Sequence, residues 1–186
     1  MKNDPILQPY KLKHIVLKNR LMTSSHEPSY AEEGMPKDRY RLYHLERAKG
    51  GIALTMTAGS AVVSPDSPPA YNNLHAYKDE IVPWLKKLTT ECHEYDTKVM
   101  IQITHLGRRT NWNHSDWLPV LSSSPIREPA HRSFPKEAED WDIDRIIEVS
   151  LGETPIYVKK IFTPEHGLNN KYQAGEKILG DMSYNI

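Results

Sequence analysis

Three stretches of the chain carry the hydrophobic pattern of β-strands, and helical patterns separate them. The first strand is predicted over residues 21–24, after a leading segment, 6–20, that predicts a hairpin or a loop. The second, 52–57, is apolar and bounded by glycines, which indicates a strand buried on both faces. The third, 98–104, alternates between hydrophobic and other positions.

Two helices are predicted between these strands. The first begins with Asp38 as its N-cap, ends at Gly50, and has Leu42, Leu45 and Ala48 inward. The second begins near residue 79, and its hydrophobic stripe recurs every three or four residues. The stripe consists of Ile81, Leu85, Leu88, Cys92 and Tyr95. The cysteine of this stripe is therefore predicted to be a core residue rather than a nucleophile.

A third helix is predicted beyond a long loop rich in proline and tryptophan. It begins with Asp142 as its cap, and Gly152 cuts it after roughly two turns. Its inward positions are Ile143, Ile146 and Ile147.

The alternation of strands and helices predicts parallel strands joined by crossover helices. Both a (β/α)₈ barrel and a doubly wound sheet have this order, and both bind ligands beyond the carboxyl ends of their strands. The first strand–helix junction lacks a G-x-G-x-x-G, so a dinucleotide-binding sheet has no direct support. All three strands end in small or polar residues: Thr23-Ser24-Ser25-His26-Glu27, Ala58-Gly59-Ser60, and Gln102, Thr104 and His105.

The composition narrows the classes of function. The 24 basic and 24 acidic residues give a net charge of +0, which predicts neither nucleic acid nor an anionic membrane as a partner. The single cysteine excludes an internal disulfide and an all-cysteine metal site. No apolar run approaches the roughly 20 residues of a membrane span, and no signal-peptide core is present, so we expect a cytoplasmic protein. Nine histidines leave a metal-dependent hydrolase barrel as an alternative, although no pair has ligand spacing.

Several segments of the chain form a recognisable set. They are KNRLMTSS, the Ala-Gly after the second strand, QITHLGRR, DRYRLYHLERAKGGIALTMTAGSAVVSPDSP and SSSPIREPAHRSFPKEAEDWDIDRI. Together they resemble the opening of the Old Yellow Enzyme family of NADH:flavin oxidoreductases. Within it they are similar to the branch of 2,4-dienoyl-CoA reductase, trimethylamine dehydrogenase and related N-demethylating enzymes. The resemblance covers about residues 6–148, and Gln-x-x-His-x-Gly-Arg is its most specific element.

The resemblance implies the amino-terminal part of a (β/α)₈ TIM barrel that holds FMN non-covalently. It also implies an oxidoreductase in which hydride passes through the flavin from NAD(P)H or from an amine. Thr23, Ser24 and Ser25 would line the flavin, chiefly through their main chain, and Ala58 would sit at the ring. Gln102 would bond to the pyrimidine edge, since an amide offers a donor and an acceptor in one plane.

Further residues receive roles from the same resemblance. His26 falls where related enzymes place polar residues near the ring. His105 and Arg108 are interpreted as supports of the strand end or, alternatively, as flavin contacts. The family's usual proton donor lies beyond the matching segments, so no catalytic residue is assigned, and His26 and Tyr30 are the candidate substitutes.

The chain departs from the family pattern at two points. Glu27 stands where trimethylamine dehydrogenase attaches its FMN through a cysteine, which predicts that the flavin is not covalently bound here. Residues 150–186 do not resemble the fourth barrel strand. We therefore expect a matching part over 1–149, truncated after about three βα units, and a non-matching tail. A 4Fe–4S cluster is expected only in longer relatives.

The truncation leaves alternatives open. The chain is either an enzyme acting on a small-molecule substrate, with NAD(P)H as a further partner, or a non-catalytic fragment or pseudogene product of the family. Three parallel strands also leave open edges, which pair readily with other chains. Such edges predict a homo-oligomer.

Overall fold

The computed structural model describes residues 4–57, 61–67, 71–109, 120–129 and 134–151. Its helices are a 3₁₀ turn at Pro5–Leu7, α1 (Asp38–Lys49), α2 (Ile81–His93) and α3 (Asp140–Leu151). Its strands are β1 (Tyr10–Leu12), β2 (Ile15–Leu17), β3 (Met22–Thr23), β4 (Leu54–Met56), β5 (Ala61–Val62), β6 (Lys98–Met100), β7 (Ile103–Thr104), β8 (Leu121–Ser122) and β9 (Lys136–Glu137). The chain divides into two compact units: unit 1 comprises Met1–Ala61, Asn72–Leu74 and Pro83–Gln102, and unit 2 comprises Val62–Tyr71, His75–Val82 and Ile103–Ile186.

A three-stranded parallel sheet forms the centre of unit 1. The strand order is β3–β4–β6, with Met22 opposite Leu54 and Leu54 opposite Lys98. α1 connects β3 to β4, and α2 lies between β4 and β6 in the chain. The predicted alternation of parallel strands and helices is therefore confirmed for these five elements.

The leading segment forms the hairpin that the sequence allowed. β1 and β2 pair antiparallel, with Leu12 opposite Ile15, and Lys13 turns the chain with φ of 51°. Leu17 is buried with Ala53 and Leu54, and Leu12, Ile15 and Met100 pack against them. The hairpin thus covers one end of the three-stranded sheet with apolar side chains.

The buried face of α1 differs from the predicted one. Tyr40, His44 and Ala48 are buried, whereas Leu42 is 44% exposed. The helix also begins at Asp38, with Lys37 in the N-cap position, so Asp38 is not the cap. A hydrophobic count missed this face because it includes a histidine, whose burial depends on a hydrogen-bond partner from another strand.

The hydrophobic stripe of α2 is confirmed. Ile81, Leu85, Leu88 and Cys92 are all buried, while Tyr95, which lies beyond the helix, is exposed. Burial, followed by the charge of Glu91, raises the pKa of the Cys92 thiol to about 11. Cys92 is therefore a packed core residue with little thiolate character.

The third predicted strand is divided in two. β6 belongs to unit 1 and ends at Met100, while β7 belongs to unit 2 and begins at Ile103. β7 pairs with β5 in a separate two-stranded sheet. In unit 2, β8 and β9 form another short parallel pair, with Leu121 opposite Lys136.

The third helix is longer and more polar on its inner side than predicted. α3 has 12 residues and begins two positions before Asp142. Asp142 is buried and accepts a hydrogen bond from Glu139 N at 3.1 Å, so it binds back to the helix start from within the first turn. Ile143 and Ile147 are 44% and 47% exposed, so their predicted inward orientation is wrong, and Ile146 is half-buried.

Within the described ranges, the three α-helices have 12 or 13 residues. None of them combines the length and the apolar character that crossing a membrane requires. The same part of the chain contains no group of three or more His, Cys, Asp or Glu placed to hold a metal ion.

Candidate functional site

The carboxyl ends of β3, β4 and β6 lie at one edge of the sheet of unit 1, because the three strands run parallel. We call the residues that follow them, 24–27 after β3, 57 after β4 and 101–102 after β6, the carboxyl edge. Ligands of α/β folds bind at such an edge. Ala58, which the resemblance assigns to the flavin ring, lies outside the described residues.

The hydroxyl groups at the end of β3 bond mainly to the neighbouring strand. Thr23 Oγ1 lies 3.0 Å from Thr55 Oγ1, and Ser25 Oγ donates to the main-chain oxygen of Thr57 at 3.1 Å. Ser24, between them, is exposed. Thr23 and Ser25 therefore tie β3 to β4, while the Ser24 side chain remains accessible at the carboxyl edge.

A buried histidine lies beneath this pair of strands. His44 Nδ1 is 2.7 Å from Thr55 Oγ1, which also contacts Thr23. Burial, followed by the charge of Arg47, lowers the pKa of His44 to about 4. The imidazole is thus neutral near pH 7, and it links α1 to the sheet.

Gln102 combines a fixed main chain with an accessible side chain. Its N–H donates to Thr57 Oγ1 at 3.2 Å, and its carbonyl accepts from Ala61 N at 2.8 Å. The side chain is exposed and makes no hydrogen bond with another residue in the described part of the chain. An amide with a free donor and a free acceptor at the carboxyl edge fits the polar edge of a planar ligand such as a flavin.

Glu27 belongs to the polar cluster at the end of β3, and the sequence assigned it no role beyond its departure from a relative's cysteine. Its Oε1 accepts from Ser29 N at 2.7 Å, and its Oε2 accepts from Asn73 Nδ2 at 3.3 Å, across 46 residues of chain. Burial, partly offset by the Ser29 hydrogen bond, raises the pKa of Glu27 to about 7. No local pattern could have shown this, because the environment is formed by a distant segment.

The two candidate proton donors have different surroundings. His26 is exposed, while Tyr30 is half-buried. The Arg39 guanidinium carbon lies 3.9 Å from the centre of the Tyr30 ring, and the Tyr43 ring meets it edge-on at 5.6 Å. These contacts give Tyr30 a packing role, and a catalytic role for either residue stays a prediction.

His105 lies in unit 2 with its side chain only 8% exposed. Its Nδ1 accepts from Gly107 N at 3.3 Å, which places the proton of a neutral ring on Nε2. That nitrogen points toward Asp66 Oδ1, but the separation of 3.6 Å is too long for a hydrogen bond. Gly107 makes the tight turn possible with φ of 57°.

Asp66 is the centre of a charged cluster in unit 2, together with Ser64 and Arg145 of α3. Arg145 Nη2 pairs with Asp66 Oδ2, Arg145 Nη1 lies 3.2 Å from Asp66 Oδ1, and Ser64 Oγ donates to the same carboxylate. Burial alone would raise the pKa of Asp66, but its polar contacts with His105, Arg145 and Ser64 outweigh it and hold the pKa well below its usual range. The cluster therefore fastens α3 to the 64–67 loop.

Arg108 also has a partner within unit 2. Its Nη1 donates to the main-chain oxygen of Ile126 at 2.9 Å. The geometry of Arg108, like that of His105, is that of a side chain holding the loops after a strand. A flavin contact by either residue stays a prediction.

Comparison with curated proteins finds relatives that are named as demethylases, a reductase and a dehydrogenase. The chain is 64% identical over 148 residues to a probable N-methylproline demethylase of Rhizobium meliloti. This match covers 80% of this chain and 22% of that protein. The chain is 45% identical to a multifunctional alkene reductase/demethylase OYE of Caballeronia cordobensis, covering 78% of this chain and 22% of the relative. An N,N-dimethylglycine/sarcosine dehydrogenase of Chromohalobacter salexigens is 40% identical, at 78% and 21% coverage.

The fold is also that of known structures. An Old Yellow Enzyme from Pichia sp. AKU4542 superposes with a TM-score of 0.73 at 19% sequence identity, covering 85% of this chain and 42% of that one. The described chain therefore has the fold of a portion of an Old Yellow Enzyme TIM barrel. It spans 22% of the length of the N-methylproline demethylase.

The model of the NADH:flavin oxidoreductase / NADH oxidase family matches residues 5–149, most of the chain. This match agrees with the polar carboxyl edge and with the relatives above. The chain belongs to the NADH:flavin oxidoreductase / NADH oxidase family.

Proposed function

We propose that this chain binds FMN non-covalently at the carboxyl edge of unit 1 and contributes this site to the oxidation of an N-methylated amino acid. Gln102 carries the proposal, since its main chain is pinned by Thr57 and Ala61 while its amide remains free. An amide that need not reorganise loses little entropy when a ligand binds.

The residues of the carboxyl edge have separate tasks in this proposal. Gln102 would hold the pyrimidine edge of the flavin through one donor and one acceptor. Thr23, Ser24 and Ser25 would line the ring from β3, with Thr23 and Ser25 kept in place by β4. Bound FMN would supply an acceptor for two electrons in the form of a hydride. The absence of a cysteine at position 27 supports non-covalent binding.

The substrate class rests on the names of the relatives. The Rhizobium and Chromohalobacter proteins are named for N-methylproline and for N,N-dimethylglycine or sarcosine, which share an N-methylated nitrogen next to a carboxylate. The second candidate is reduction of a small-molecule alkene with NAD(P)H as the hydride donor, which the name of the Caballeronia relative favours.

A titration of FMN with the purified chain tests the cofactor, with flavin fluorescence as the readout. Gln102→Leu should weaken FMN binding on the order of tenfold, because two hydrogen bonds to the ring are lost. Gln8→Leu makes the same substitution at an exposed position of the leading segment and should bind FMN as the wild type does. Equal affinities for the wild type and Gln102→Leu would contradict the assignment.

A non-catalytic role, in which the chain pairs with other chains, is a further candidate, and it rests on the sheet of unit 1. β3 and β6 each occupy an outer position in the sheet of unit 1, and open edges of this kind pair with other chains. Analytical ultracentrifugation with and without FMN distinguishes the two functions. A colourless oligomer that does not bind FMN would favour the non-catalytic role.

A further inference from the structure

Glu27 is a half-buried carboxylate without a cationic partner in the described part of the chain. Both of its oxygens accept hydrogen bonds from neutral donors, Ser29 N at 2.7 Å and Asn73 Nδ2 at 3.3 Å. No lysine, arginine or histidine of the described residues forms an ion pair with it. Buried charges are normally paired, so a partly buried carboxylate whose described partners are all neutral favours a cation from outside the chain.

The position of Glu27 relates it to the proposed flavin site. It follows β3 by four residues, and Gln102 follows β6 by two, so both lie on the carboxyl edge of the same parallel sheet. Both also belong to unit 1. The hydrogen bond from Asn73, itself buried, fixes the direction of the carboxylate rather than leaving it free in solvent.

We propose that Glu27 is the residue that recognises the N–H group of the protonated amine in an N-methylated amino acid. The substrate class comes from the proposed function, and the inference rests on it. N,N-dimethylglycine and N-methylproline each carry a single N–H when protonated, and a carboxylate is its natural acceptor. A quaternary ammonium has the same charge but no N–H.

Recognition of the N–H would make the site selective for protonated tertiary amines over quaternary ammonium compounds. A protonated tertiary amine can transfer its proton to the Glu27 carboxylate, and the freed electron pair would then stabilise the carbon whose hydride bound FMN would accept. A quaternary nitrogen has no such pair. A hydrogen-bonding carboxylate therefore selects the amines that can react and disfavours those that cannot.

The acidity of Glu27 supports this role and adds a pH dependence. Burial raises the pKa of its carboxyl group to about 7, while an alkylammonium has a pKa of about 10.4. Only the ionised carboxylate attracts the cation, so affinity should fall roughly tenfold for each pH unit below about 7. A bound cation should in turn lower the pKa of Glu27 by about one unit or more.

The test uses the purified 186-residue chain, with and without FMN, and two probes, N,N-dimethylglycine and glycine betaine. The Glu27 carboxyl carbon is followed by ¹³C NMR across pH 5 to 9, and binding is measured by calorimetry. The wild type should bind N,N-dimethylglycine on the order of tenfold more tightly than glycine betaine. In Glu27→Gln this ratio should fall to near one, whereas Glu32→Gln, an exposed carboxylate of the same loop, should retain it.

Several results would overturn the proposal. They are equal binding of the two probes by the wild type, an unchanged ratio in Glu27→Gln, and no response of the Glu27 signal to N,N-dimethylglycine. The last readout needs no variant, so it decides the matter if Glu27→Gln does not fold. Loss of FMN binding alone would refute the proposed flavin site, and the Glu27 titration in FMN-free protein would still be interpretable.

Discussion

Glu27 in unit 1 and Asp66 in unit 2 are both partly buried carboxylates, yet their acidities move in opposite directions. Burial raises the pKa of Glu27 to about 7, and the hydrogen bond from Ser29 offsets only part of this rise. Burial acts on Asp66 in the same sense, but His105, Arg145 and Ser64 outweigh it and hold the pKa well below its usual range. The difference lies in the partners, because both side chains lose part of their hydration.

The contrast separates a structural carboxylate from a candidate binding group. Asp66 is satisfied by a cation of α3, so it contributes to holding unit 2 together. Among the described residues Glu27 has neutral partners only, so a bound cation would add the charge compensation that its two hydrogen bonds do not supply. Perturbed acidity marks functional sites more reliably when no structural ion pair explains it.

Asp66→Asn is expected to have the largest effect on the free energy of unfolding. The substitution removes the closer counterion of Arg145 and leaves only Asp142 Oδ1, at 3.8 Å, so we expect the free energy of unfolding to fall by about 2 kcal/mol. Asp144→Asn removes an exposed carboxylate from the same helix and should change it by less than about 0.5 kcal/mol. Urea denaturation of the three proteins provides the comparison. A loss of similar size in both variants would show that the cluster does not fasten α3.

An effect of intermediate size is expected at Glu27, where the difference in stability between the wild type and Glu27→Gln should depend on pH. Its pKa rises from an ordinary value of 4.5 to about 7 on folding, so the folded chain holds the proton more tightly. The stability of the wild type relative to Glu27→Gln should therefore decrease as pH rises from about 4.5 to about 7. The change is on the order of 1 kcal/mol, smaller than the full shift because water screens a half-exposed carboxyl.

The comparison with Glu27→Gln is needed because titration of His44 changes the stability of the chain with pH in the direction opposite to that of Glu27. Its pKa falls from 6.5 to about 4 on folding, so its contribution to stability is lost as pH falls through that window. Thermal unfolding at several pH values, for both proteins, cancels this background. A difference that does not vary with pH would show that Glu27 titrates normally.

The smallest effect is expected from Arg108→Ala. Loss of the bond to Ile126 O should lower the free energy of unfolding by about 1 kcal/mol or less and leave FMN affinity unchanged. Fluorescence titration and urea denaturation measure the two quantities on the same sample. A tenfold loss of FMN affinity would instead make Arg108 a flavin contact, and Arg109→Ala is the neighbouring control at an exposed position.

Local patterns predicted the elements that depend on local chemistry. The hydrophobic stripe of α2 and the apolar run of β4 are both confirmed, because their burial follows directly from side-chain periodicity. The predicted face of α1 was confirmed at Ala48 and wrong at Leu42, because the helix instead buries His44, which bonds to Thr55 on another element. The predicted inward positions of Ile143 and Ile147 in α3 were wrong for the same reason, since the inner side of α3 carries Asp142 and Arg145, which have polar partners there.

The candidate site likewise has features that the sequence predicted and features that only the folded structure shows. The pattern predicted Gln102 near the carboxyl end of a parallel strand, whereas β6 ends at Met100 and Gln102 follows it; the family role of Gln102 came from the motif around it. That its main chain is pinned while its amide is free depends on Thr57 and Ala61, which only the folded sheet brings near. Ala58 and most of the predicted tail, 150–186, lie outside the described residues, so those expectations stay predictions.

By itself the sequence determined the order of strands and helices, the membership of the family and the set of polar residues that follow the strands. These properties depend on residue spacing and composition, which do not change on folding. Only the tertiary structure decided which of those polar groups are already satisfied. Burial raises the pKa of Glu27, partly offset by the hydrogen bond from Ser29, whereas for Asp66 burial is outweighed by His105, Ser64 and Arg145, the last of them 79 residues away. Electrostatic environment is a property of neighbours in space, and folding selects those neighbours.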